Sequence, residues 1–142
     1  MSTPATPFPG LDRTAVVRLV HGFYDDVRAD PLLGPTFDAV LAGRWDTHLP
    51  RMVEFWSTMV LGTRSFSGNV FGKHMVLEGI GPRHFEHWVR LWFARTSRQF
   101  DAATAGQLQT VALGIARNLH RGYFGDDAGF ARIERELHHV HA

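Results

Sequence analysis

From Val16 to Val140 the apolar residues recur at spacings of three and four, and no run of them alternates. That spacing lines them along helical faces, whereas a half-buried strand needs a period of two. No Asn-Gly hairpin signal interrupts the pattern. The sequence therefore specifies an all-α chain. Its 142 residues suffice for one core around at most one sizeable ligand.

Asp12 is placed to cap a first helix bearing Val16, Val20, Phe23 and Val27, with Val17 and Tyr24 alongside; Pro31, with Gly34-Pro35 following at once as a break, predicts its end at Asp30. A short piece with Phe37, Val40 and Leu41 should close at Gly43. WDTHLPRMVEFWSTMVLG reads as a helix ended by Gly62, kinked at Pro50 if it starts as early as Arg44. A glycine-containing loop from Gly62 to Lys73 leads into one helical turn ending near His74. Gly81-Pro82 opens a helix running to about Phe100, with Phe85, Trp88, Val89 and Trp92 on one face. Asp101 caps another, with Gly122 near its end, and a last piece carries Phe130, Ile133, Leu137 and Val140. Four of these helices are expected to be the main ones. MSTPATPFPG, rich in Pro and small polar residues, is expected to be a flexible lead-in over residues 1–10, ahead of one domain over 11–142.

Composition narrows the chemistry. No cysteine is present, which removes disulfides, zinc-thiolate sites, cysteine-held iron-sulfur clusters and covalent haem attachment. Any metal must sit on His or oxygen. A formal charge of +1 offers no basic stripe for nucleic acid. No apolar run suits a membrane span, and the N-terminus does not resemble a signal peptide, so a cytoplasmic location is expected. Against this plain background stand nine His, 11 Phe, 4 Trp and 2 Tyr.

Four of these residues bear on function. At 100° per residue, His48, Met52, Phe55 and Met59 fall within roughly 60° of arc, turning an imidazole toward apolar side chains. That spacing suits a ligand-facing histidine, or one satisfied by a backbone carbonyl at the core's rim. His74 follows the loop, with Val70 one turn earlier and Met75 beside it; it reads as an exposed histidine or as a metal ligand. Tyr24 and Trp88 each carry a polar hydrogen on an otherwise apolar face.

Several blocks bring these residues together: FYDDVRADPLLGPTF from Phe23 to Phe37, W-x-x-H-x-x-x-M-x-x-FW from Trp45 to Trp56, Leu61-Gly62, F-x-G from Phe66 to Gly68, His74, and HFEHW from His84 to Trp88. This order resembles the third group of the truncated haemoglobins over roughly Leu19 to Leu119. The glycine-pair motifs of the other two groups are absent, as they are in the third. The resemblance implies a two-over-two helical sandwich around a non-covalent haem b. It implies His74 as the proximal iron ligand, Phe37 against the porphyrin face, and Tyr24, His48 and Trp88 as the polar distal residues. Met52 and Phe55 would line the distal wall, with Phe23, Val70 and Met75 also at the haem. His48 would act as a gate or as a sixth ligand. Arg51, Lys73 and Arg83 are candidates by position for the haem carboxylates.

The function expected from the resemblance is binding of O2, NO or CO, for chemistry or sensing rather than bulk transport. An NO-detoxifying or peroxidase-like activity is the enzymatic alternative. It needs an external reductase, because no flavin or nicotinamide fingerprint occurs, and the peroxidase reading lacks an identifiable distal Arg. The contrasting reading is a haem-free helical module that binds an apolar ligand or a partner helix. A monomer or weak dimer is expected. The ELHHVHA tail reads as a solvated helix end.

Overall fold

The computed structural model describes residues 10–141 except 76 and 127, with side chains as far as Leu137. The expected lead-in before Gly10 and the side chains of the histidine-rich tail, Val140 included, lie outside the described residues. Seven helices occur there and no strand: α1 Arg13–Ala29, α2 Leu33–Leu41, α3 Trp45–Leu61, α4 Val70–Met75, α5 Pro82–Gln99, α6 Ala102–Phe124 and α7 Ala128–His141.

The caps lie largely where side-chain chemistry places them. The Asp12 carboxylate accepts from the Ala15 amide at 2.8 Å, and Asp101 does the same for Thr104 at 2.8 Å. Asp30 ends α1 and begins α2 at once: its own N–H bonds the Val27 carbonyl, and its carboxylate accepts from the Leu32 and Leu33 amides at 2.9 and 2.8 Å. Gly62 closes α3 at φ 70°.

One expectation needs correction. Gly34 and Pro35 do not separate α1 from α2 but lie in the first turn of α2, where a proline sacrifices no intrahelical bond. A Cβ on Gly34 would stand 2.6 Å from the Arg28 carbonyl oxygen, so only glycine permits this close approach of the two helices. Gly122 lies near the end of α6, as expected, and the helix is closed by Gly125, which has the left-handed φ of 79°. Pro50 falls beyond the first turn of α3, leaving the Asp46 carbonyl without its usual i+4 donor.

α1 packs on α3 and α5 packs on α6, and contact of α1 with α5 joins the two pairs. One core cluster lies among α1, α3 and the adjoining parts of α5 and α6, where the indoles of Trp56 and Trp92 stack at 4.3 Å. Trp92 also donates to the Leu108 carbonyl at 3.0 Å, which ties α5 to α6. A second cluster holds Phe85, Val89, Phe93, Leu119 and Phe130 among α5, α6 and α7. Trp88 and Ile115 touch both. No helix among the described residues is long and apolar enough to cross a membrane.

Candidate functional site

Next to Trp88 and Ile115 opens a cavity of about 570 Å³, walled by α1 to α6 and the segments flanking α4. Its size falls in the range of small-molecule and cofactor sites. α3 has two working faces: Trp45, Val53 and Trp56 enter the core, while His48, Met52 and Phe55 line the cavity. Met59, expected on the same stripe, is exposed because the helix has run past the cavity by then.

Of the residues singled out in the sequence, Tyr24, Phe37, His48, Met52, Phe55, Val70, His74 and Trp88 all line this cavity. Phe23 and Met75 do not. Phe23 is 1% exposed in the core, edge-on to Trp88 and Trp92 at 5.6 and 4.9 Å. Met75 lies over Gly122 on α6. Among the cations, Arg51 and Lys73 are exposed residues of the lining and so stand at the mouth; Arg83 is outside it, and Arg44 lines the mouth instead.

The imidazole of His74 is fixed by its own helix, since its Nδ1 lies 2.7 Å from the Val70 carbonyl oxygen. A carbonyl can only accept, so Nδ1 carries the donated proton, and Nε2 is the ring nitrogen left to bond a metal. His48 lies edge-on to Tyr24 at 5.4 Å and to Trp45 at 6.0 Å, and its buried Nε2 has no hydrogen-bond partner among the described residues. Burial, and then the fields of His74 and Arg51, hold His48 below the usual histidine range and keep it neutral at pH 7. Burial pushes the Tyr24 phenol well above its ordinary value, so it remains a protonated donor. Trp88 is aligned by Trp92, whose ring lies parallel within 3° at 6.0 Å.

Among the described residues no group of three or more His, Asp or Glu side chains could hold a bare ion. The donor set is a pair of imidazoles on separate walls in an apolar setting, which suits a metal that brings its own planar ligands.

No family model matches the sequence. The group 3 truncated hemoglobin ctb of Campylobacter jejuni is 30% identical over 88 residues, which is 60% of this chain and 69% of that protein. The chain belongs to the group 3 truncated haemoglobins. The crystal structure of a group III truncated hemoglobin from Campylobacter jejuni superposes with a TM-score of 0.77 at 23% identity, covering 87% of this chain and 96% of that one. This truncated haemoglobin thus has the truncated globin fold and is a haem protein of the globin type. The cavity fits that group: the Nδ1 bond of His74 leaves its Nε2 available, the buried Nε2 of His48 has no hydrogen-bond partner among the described residues, and the exposed cations Arg44, Arg51 and Lys73 line the mouth.

A polar chain on the cavity wall of this truncated haemoglobin leaves almost no trace in the sequence. The Gly81 amide donates to His84 Nδ1 at 3.0 Å, so the His84 proton sits on Nε2, which donates to Thr36 Oγ1 at 3.2 Å. The Thr36 hydroxyl passes its own proton to the Leu32 carbonyl at 3.0 Å. Every group is satisfied, and the chain ties α5 to α2 beside Phe37. The HFEHW block placed His84 one turn before Trp88, which was the only available signal. Tyr123, at the far end of α6, also lines the cavity.

Proposed function

We propose that this truncated haemoglobin binds haem b non-covalently in the cavity, with His74 Nε2 as its proximal protein ligand, and takes up O2, NO or CO on the side lined by Tyr24, His48 and Trp88. The observation that carries this reading is the Nδ1 hydrogen bond of His74 to Val70, which fixes the ring and leaves Nε2 as the nitrogen able to bond a metal. When bound, the haem supplies a ferrous iron with one open position for a diatomic ligand.

The chain does the rest. Val70 holds the His74 ring in one tautomer and one orientation. Phe37, Met52 and Phe55 exclude water and offer an apolar surface to a planar group. Arg44, Arg51 and Lys73 offer cations to its carboxylates at the mouth. The Tyr24 hydroxyl and the Trp88 indole N–H are the donors available to a partly negative ligand. Neutral His48 is placed either to gate entry or to swing toward the metal. Two donors imply slow ligand release, which suits oxygen or nitric oxide chemistry, or sensing, better than bulk transport. Redox turnover draws its electrons from a separate reductase.

Titration of the haem-free chain with haemin tests the reading. A Soret band saturating at one equivalent in the parent, and lost or strongly weakened in His74→Ala, is expected. A chain that ignores haemin, leaving the cavity to an apolar ligand or partner helix, overturns it.

A further inference from the structure

We infer that Tyr123 is a positioning residue of the proximal wall: its hydroxyl, donated to the main-chain carbonyl of His74, anchors α4 on α6 and sets how the His74 imidazole is presented to the cavity. This rests on His74 being the iron ligand.

α4 has six residues, too few to hold a helix without tertiary support. Its main neighbour is α6. The contact uses two consecutive residues of α6. Gly122 makes room, because a Cβ there would fall 2.7 Å from the Phe71 ring and 2.8 Å from Met75 Sδ, so both side chains of α4 lie over the missing one. Tyr123 supplies the bond. The His74 carbonyl, near the C-terminal end of α4, accepts from the Leu77 amide at 3.0 Å and uses its other lone pair for the Tyr123 hydroxyl. The same hydroxyl lies 3.5 Å from the Leu77 carbonyl, so it also faces the segment leaving α4.

Tyr123 is itself held. Its ring packs against Phe85 at 5.9 Å and lines the cavity beside Leu119. His74 is therefore fixed twice: its ring through Val70 within α4, and its backbone through Tyr123 across the fold. Freeing the backbone lets the whole helix, ring included, tilt as a unit.

The test compares the parent with Tyr123→Phe and Gly122→Ala, each loaded with haemin, reduced and deoxygenated. Resonance Raman reads the iron–histidine stretch, and transfer to excess apomyoglobin reads haem release. Hydrogen exchange of α4 amides is followed in the haem-free chains. In Tyr123→Phe the stretch should shift or broaden and release should quicken about twofold to tenfold, the net worth of one hydrogen bond. Exchange in α4 should rise while that of α5 does not. Gly122→Ala, which keeps the hydroxyl but pushes Phe71 and Met75 away, should move the same signals. A stretch and a release rate that match the parent in both variants overturn the inference. If instead the parent shows no iron–histidine stretch, or His74→Ala retains it, the ligand assignment fails, while α4 exchange still reports on the clamp.

Discussion

Two histidines on one cavity show how setting, not residue type, fixes chemistry. His74 is tied to a carbonyl and His48 has an unpartnered Nε2, yet both are built into the walls of the same space. The two donors proposed for a bound ligand, Tyr24 and Trp88, carry a kinetic expectation. Tyr24→Phe and Trp88→Phe each remove a bond worth roughly 1.4 kcal/mol, so each should speed oxygen dissociation about tenfold in stopped-flow measurements. Rates unchanged in both variants would remove these residues from ligand binding. Tyr24 and His48 were legible in the sequence because each is polar at a helical spacing from apolar neighbours. Phe23 and Met75 were misplaced at the cavity for a related reason: adjacency in sequence turns a side chain about 100° around the helix, away from its neighbour's wall. Thr36 and His84, joined across 48 positions, leave no local pattern to read.

Among the elements, α2 shows where local signals and tertiary contact compete. Gly34-Pro35 reads as a break, but the Asp30 carboxylate starts a helix just ahead of it and the bare Cα of Gly34 rests on the Arg28 carbonyl. Gly34→Ala should therefore cost about 1–3 kcal/mol in urea unfolding, as overpacking against backbone does. Gly106→Ala, within α6 and with nothing within 4 Å of the new Cβ, should stabilise by up to about 1 kcal/mol. Equal effects at the two sites would contradict the close approach of α1 and α2. Asp12, Asp30, Gly62 and Asp101 marked helix ends legibly because capping is local chemistry. Gly122 does lie near the end of α6, but Gly125 closes the helix, and the missing side chain of Gly122 serves the packing of α4. α4 was legible as a short turn, yet nothing within it says what holds it.

At the scale of the whole molecule, two core clusters flank a space that neither fills. Periodicity announced the helices and their inner faces, so the all-α class followed from sequence. The position of the cavity did not, since it depends on how α3 divides its apolar residues between the core and an inner wall. The truncated globin fold places α3 and α4 so that His48 and His74 both reach that space. A crystal structure of the haemin-loaded chain reads the iron ligand directly. A porphyrin within the cavity, bonded through His74 Nε2 with Nδ1 still on the Val70 carbonyl, is expected. Iron bonded on its proximal side by any other side chain, or a porphyrin held outside the cavity, would contradict it.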